Sequence, residues 1–130
     1  MTTLLIQLAA ALGLTIVIEL AVVALLGGRT ARELTAVALV NEITNPALNV
    51  GLLVFRLVVV PVLRPDVAVA TQWSFIGVAE VIVVIAEWRL LAWTLRADSR
   101  TWLLRSVAMN ATSFVLGSWL LAVALESLAR

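Results

Sequence analysis

Asn41-Glu42-Ile43-Thr44-Asn45-Pro46-Ala47-Leu48-Asn49 lies inside the otherwise apolar run Leu34–Val60. The stretch brings one carboxylate, three carboxamides and a proline into a segment long enough to cross a bilayer, whose hydrocarbon takes about 20 helical residues to span. In hydrocarbon every unsatisfied polar group carries a heavy desolvation cost, so these side chains must face other helices, water or a ligand. The rest of the chain has to supply helices that cover the stretch and polar groups that answer it.

Composition agrees with a membrane as solvent. Of 130 residues, 63% are hydrophobic and 13% charged, and the mean hydropathy is +1.12. A soluble domain is about half apolar and a quarter charged, and a small globule cannot hide a larger apolar share. There is no cysteine and no histidine. That excludes disulfides, thiolate and imidazole metal sites, haem ligation, Cys and His nucleophiles and a histidine pH switch. With a net charge of only +1, no nucleic-acid footprint is expected. No resident cofactor is expected either.

Working outward from Leu34–Val60, the amino-terminal run is Leu4–Leu26. Ala9-Ala10-Ala11 resembles a signal-peptide cleavage site, but no Lys or Arg precedes it and hydrophobicity continues beyond it, which predicts a retained helix. Gly27-Gly28 ends that helix and Arg29–Glu33 forms a polar turn. Pro61 and Arg64-Pro65-Asp66 close the second run, with Asp66 a candidate N-cap for the third, about Thr71–Leu95. Arg96–Thr101 is the next polar turn and Trp102–Leu125 the fourth run. The expected fold is therefore all-α: a polytopic membrane protein with four transmembrane helices, at about 4–26, 34–60, 71–95 and 102–125, in a compact bundle with a polar interior. It forms a single integral membrane domain over 1–130, with no linker or internal repeat.

Arginine placement sets the orientation. Arg29, Arg32, Arg96 and Arg100 lie in the turns after the first and third runs, with Arg105 just beyond, whereas the other side has Arg64 beside Asp66 and Arg130 near Glu126. The positive-inside rule makes the arginine-rich turns cytoplasmic and puts both termini outside. Trp88, Trp93 and Trp102 then fall at the inner interface, and Trp73 and Trp119 near the outer one.

At about 1.5 Å of rise per residue, Glu19, Glu42, Glu87 and Asn110 each lie about 12 Å in from the cytoplasmic ends, and Asn49 and Glu80 about 22–24 Å in. Helical spacing collects Glu80 with Glu87, and Glu42, Asn45 and Asn49, on common faces. An acid at mid-membrane costs about 2.5–3.5 kcal/mol to insert, so four cost on the order of 10. The candidate substrate- or ion-binding set is Glu19, Glu42, Asn45, Asn49, Glu80, Glu87 and Asn110. Within it, no arginine shares the depth of Glu42 and Glu80, which makes those two with Asn45 and Asn49 the strongest functional candidates. Asn110, with Ser113 and Thr15, reads as interhelical glue. Pro46 removes a helix hydrogen bond, frees the carbonyl of Glu42 and predicts a kink.

A glutamate in the first helix (Glu19), TNPxxN in the second (Thr44–Asn49), ExxxxxxE in the third (Glu80, Glu87) and NxxSF in the fourth (Asn110–Phe114) make a pattern. It resembles that of a group of small bacterial multi-pass inner-membrane proteins of no assigned activity. The resemblance implies a bacterial cytoplasmic-membrane location and implies that the polar positions form one set. Oxygen ligands alone suit a proton or a hard cation and leave the identity of any metal open. The expected function is to bind or conduct a proton, hard cation or small polar solute, with membrane lipid around it and a homo-oligomer or partner membrane protein completing the path. The alternative is an accessory or assembly subunit of a larger membrane complex, its polar layer serving helix packing. No nucleophile–base pair is recognisable, so an enzyme is the weaker expectation.

Overall fold

The computed structural model describes residues 2–128, with side chains described over 9–117 and at 119 and 120. Four helices follow one another: α1 Thr2–Leu25, α2 Ala31–Val58, α3 Pro65–Leu95 and α4 Ser99–Leu128. A 3-10 turn, Val60–Val62, links α2 to α3, and there is no strand among the described residues. The helices form a closed ring, α1 on α2, α2 on α3, α3 on α4 and α4 back on α1. Short turns between adjacent neighbours make the bundle up-down-up-down. Arg130 and the side chain of Glu126, counted above on the outer side, lie outside the described residues.

Local chemistry explains where the helices stop. At the end of α1 the Gly28 N–H reaches the Val23 carbonyl at 2.9 Å and the Gly27 N–H reaches that of Ala24 at 3.2 Å, a Schellman ending with Gly27 at φ +90°. Thr30 then caps α2 in a reciprocal box with Glu33: the Glu33 N–H donates to Thr30 Oγ1, and the Thr30 N–H to the Glu33 carboxylate. α3 ends the same way as α1, the Ala97 N–H reaching Ala92 O and the Arg96 N–H reaching Trp93 O, with Arg96 left-handed at φ 50°. Asp98 opens α4 by accepting the Thr101 N–H at 2.8 Å and its hydroxyl at 2.7 Å. At α3 the expected cap shifts: Arg64 is the N-cap, Pro65 takes the first helical position, and Asp66 sits in the first turn paired with Arg64 at 3.3 Å.

The apolar core sits at the end of the bundle that holds both of those turns. Val23, Val37, Val40, Leu91, Leu95, Trp102 and Met109 pack there. Trp102 is only 1% exposed, so it belongs to this core and not to an interfacial belt. Arg105 stacks over its ring, pairs with Glu33 at 3.1 Å and donates to the Leu26 carbonyl, strapping α4 to the α1–α2 turn. At the far end Phe55 stacks on Phe75, centroids 4.2 Å apart. Outside, large apolar side chains stand exposed on every helix, among them Val17, Ile43, Val78 and Val115. The segment Ala31–Val62 is long and apolar enough to cross a membrane.

Candidate functional site

Next to the apolar core, each helix turns polar side chains inward and they join into one buried layer. The inward stripe of α2 is Val37, Val40, Asn41 and Thr44, at intervals of three and four residues. On α3 it is Val83, Glu87, Leu91 and Leu95, and on α4 it includes Ser106, Met109, Asn110 and Ser113. α1 contributes Glu19 one turn before Val23.

Two carboxylates centre the layer, and both are fully buried: Glu19 and Glu87 are 0% exposed. Asn41 Nδ2 donates to Glu19 Oε2 at 2.6 Å, and the Ser113 hydroxyl to Glu19 Oε1 at 3.0 Å. The Thr44 hydroxyl donates to Glu87 Oε1 at 2.7 Å, and Asn110 Nδ2 to Glu87 Oε2. Each carboxylate oxygen thus receives one donor, and each carboxylate is held by one carboxamide and one hydroxyl. Asn45 extends the network by donating to Asn41 Oδ1 at 2.7 Å. Ser106 ties α4 to α3 through the Val84 carbonyl at 3.0 Å.

The arrangement is a pseudo-twofold one. The hairpin α1–α2 supplies Glu19 with Asn41-x-x-Thr44, and the hairpin α3–α4 supplies Glu87 with Asn110-x-x-Ser113. Each Asn serves the glutamate of its own hairpin, and each hydroxyl crosses to the other hairpin's glutamate. Fourteen residues separate the left-handed Gly27 from Asn41, and the left-handed Arg96 from Asn110. The sequence, read without the fold, had suggested no repeat. A correspondence of a few polar residues and one helix ending is too sparse to stand out along the chain.

No arginine among the described residues enters this layer. Among the described residues the ion pairs are Arg64–Asp66 and Arg105–Glu33, both at helix ends. Arg89 lies exposed with its guanidinium 4.5 Å over the Trp88 ring instead of reaching an acid on a neighbouring helix.

Of the expected site residues, Glu19, Glu87 and Asn110 meet in the layer and Asn45 joins its edge. Glu42 does not. It is exposed on the outer face of α2 between Leu39 and Ile43, because one residue along a helix is a turn of about 100° and the inward place is taken by Asn41. Asn49 is half-buried beyond Asn45, and Glu80 is half-buried in a separate cleft between α3 and α4. Pro46 is exposed on the outer face, and α2 runs helical through it. Asn41 and Thr44 were missing from the expected set, and Ser113 counted there only as glue. The signal that identifies them is the recurrence of Asn-x-x-Ser/Thr at matching distances after the two left-handed turns.

Two buried carboxylates, four neutral donors and, among the described residues, no basic side chain make a centre that can hold protons or an oxygen-liganded cation, and that equally locks four helices in register. No protein-family model, no curated protein and no solved structure matches the chain.

Proposed function

We propose that this chain is a multi-pass protein of a bacterial cytoplasmic membrane whose central Glu19–Glu87 pair binds a proton or hard cation and passes it across the bundle. Apolar side chains exposed on every helix support immersion of the whole bundle in lipid. The observation that carries the function is the burial of two carboxylates with no basic side chain among the described residues in their layer. Two negative charges in a low-dielectric interior need a compensating charge, and a proton or a bound cation is what remains. Intramembrane acids of this kind mark ion pathways and proton relays.

The test is flux. The purified chain in sealed vesicles, with a pH dye inside and a potassium diffusion potential imposed, is assayed for proton entry and then for Na⁺ and Mg²⁺ entry with matching indicators. Flux of one species in the wild type that disappears in Glu19→Gln and Glu87→Gln, with the helical spectrum retained, supports the proposal. Absence of flux for all three overturns it in favour of a packing role.

A second reading, an accessory subunit of a larger membrane assembly, is favoured by Glu42. A carboxylate among exposed Leu39 and Ile43 on the lipid-facing side of α2 is best satisfied by a second chain. Native mass in mild detergent tests it: an assembly that dissociates in Glu42→Gln supports this reading, and a monomer in the wild type removes it.

A further inference from the structure

The end of the bundle that holds both hairpin turns carries more positive charge than its own carboxylates answer. Arg29, Arg32, Arg96 and Arg100 lie in or beside those turns, and Arg89 stands exposed within the last two turns of α3. Glu33 is taken by Arg105 and Thr30, and Asp98 by Thr101. Among the described residues no carboxylate lies within ion-pair distance of those arginines. Arg32, Arg89 and Arg96 share the outer groove between α2 and α3. Arg32 of α2 reaches across to donate to the Thr94 carbonyl at 3.0 Å, which holds its guanidinium at the end of α3. Arg96 follows two residues later, and its N–H and that of Ala97 already close the Trp93 and Ala92 carbonyls. Further along, a cleft of about 260 Å³ opens between α2 and α3, lined by Ala47 and Gly51 of α2 and by Phe75, Ala79, Ile82 and Ala86 of α3. The α3 lining continues at the same intervals of three and four residues to Arg89 and Trp93. Trp93 is 79% exposed.

We propose that this α2–α3 groove binds an anionic phospholipid. Its phosphate sits against Arg32, Arg89 and Arg96, its glycerol beside Trp93, and an acyl chain runs along Ala86 and Ile82 into the cleft. The charges select an anion: guanidinia brought together without a carboxylate attract one, and phosphate oxygens fit their fork of donors. Basic pockets between membrane helices hold anionic headgroups in this way. The surroundings select an amphiphile. A free phosphate would leave the apolar cleft bare, and an acidic protein segment would bring backbone groups into it that nothing there satisfies. An exposed indole belongs at the boundary between headgroups and chains. Trp93 and Ile82 are eleven positions apart, about 16 Å at the rise of a helix, which matches the depth of about 15 Å that one leaflet's hydrocarbon provides. The inference rests on the membrane placement proposed above, and not on conduction by the central pair.

The probes are phosphatidylglycerol and phosphatidylcholine with brominated acyl chains, titrated into the purified full chain in an uncharged detergent and read by quenching of tryptophan fluorescence and by native mass. Phosphatidylglycerol should bind saturably and at least about tenfold more tightly than phosphatidylcholine, the order expected of several arginine contacts. Arg32→Gln and Arg96→Gln should each weaken it about fivefold, the size of one such contact. Arg29→Gln, on the α1 side of the same end, and Arg64→Gln, at the other end, should leave it nearly unchanged. Trp93→Phe should lose part of the quenched emission while the bound lipid persists by mass. Inorganic phosphate should not displace the lipid at equal concentration. Glu19→Gln and Glu87→Gln, which end flux if the central pair conducts, should bind the lipid as wild type does. Equal binding of the two lipids overturns the proposal in favour of unselective lipid contact. Equal losses in Arg29→Gln and Arg32→Gln overturn it in favour of diffuse charge, and displacement by phosphate in favour of a free-anion site. Flotation with phosphatidylcholine vesicles separates the two levels. A chain that does not float overturns the membrane placement and this site with it, whereas one that floats and shows no preference overturns the site alone.

Discussion

Asn41 and Asn110 do the same work in the two halves of the bundle. Each carboxamide nitrogen donates to a glutamate on the preceding helix and to the backbone carbonyl four residues back, Val37 for Asn41 at 3.2 Å and Ser106 for Asn110 at 3.0 Å. The second bond fixes the side chain against its own helix, so the first arrives at the carboxylate already oriented. Coupling between the halves comes from the hydroxyls, Thr44 to Glu87 and Ser113 to Glu19. The layer is thereby two hydrogen-bonded clusters, one on each glutamate and each bridging the two hairpins, in which loss of any donor leaves a buried acceptor short.

Replacing Asn41 by leucine should destabilise the bundle by about 1–3 kcal/mol, because Glu19 Oε2 then lies buried without its donor. Combining Asn41→Leu with Glu19→Leu should recover part of that loss, since the buried carboxylate is gone while only the Ser113 hydroxyl and the Asn45 carboxamide lose an acceptor. Reversible unfolding in mixed detergent micelles measures both. A double variant as unstable as the sum of its singles would show that the pair is not coupled.

Arg105 and Arg64 should differ sharply. Arg105 is largely buried, stacks on Trp102 and bonds both Glu33 and the Leu26 carbonyl, so Arg105→Met should cost about 1.5–3 kcal/mol. The Arg64–Asp66 pair is exposed on both sides, and Arg64→Ala should change stability by less than about 1 kcal/mol. Thermal unfolding of the two variants side by side is the check.

Two glycines should respond in opposite directions. A Cβ at Gly28 would lie 2.6 Å from Val23 Cγ1 and 3.2 Å from the Val23 carbonyl oxygen, inside the turn that ends α1. Gly28→Ala should therefore destabilise by about 1–3 kcal/mol through overpacking. At Gly51, within α2, a Cβ meets nothing within 4 Å, and Gly51→Ala should stabilise by up to about 1 kcal/mol through helix propensity.

The Asp98 cap makes a pH-dependent contribution. The backbone N–H and then the hydroxyl of Thr101 hold the Asp98 carboxyl below its usual value of 3.8. A depressed carboxylate contributes stability that is present above the unfolded value and is lost as pH falls through the folded one. Wild-type protein should therefore lose a small increment of melting temperature below pH 3.8 that Asp98→Asn does not lose. Superimposable melting curves for the two across that range would show that the cap titrates without effect on stability.

Helix number and order were legible in the sequence because four apolar runs are separated by short clusters of charged residues, Gly27–Glu33, Pro61–Asp66 and Arg96–Thr101, the first two also carrying Gly or Pro. The ends were legible less well. α3 begins at Pro65, six residues before the apolar run, because proline at the first helical position lets a polar turn wind before the hydrophobic stretch begins. The inward face of α2 was not legible. Leu, Val and Ile stand on both its sides, so hydrophobicity gives no direction, and the choice between Asn41 and Glu42 rested on charge alone. The buried position went to the carboxamide, which can donate to Glu19 as a carboxylate cannot. On α1, α3 and α4 a polar residue of each inward stripe, Glu19, Glu87 and Asn110, was identified correctly, because no neighbouring polar residue competed for the place.

The last prediction concerns sidedness. Arg105 of α4 reaches the Leu26 carbonyl and Glu33, and Trp88 Nε1 donates to the Ser99 carbonyl at 2.7 Å, so the α1–α2 and α3–α4 turns share one end of the bundle. Arg29, Arg32, Arg96 and Arg100 lie in or beside those turns, against Arg64 with its partner Asp66 in the turn at the opposite end. The charge bias orients the shared end to the cytoplasm if all four helices span. The chain has no cysteine, so single cysteines report without background. Thr30→Cys and Ser99→Cys should react with a membrane-impermeant maleimide only after cells are permeabilised, while Arg64→Cys should react in intact cells. Reaction of all three in intact cells would place the bundle outside the membrane. Thr30 and Ser99 on opposite sides would mean that α2 and α3 do not both span, and the four-span arrangement would fall with them.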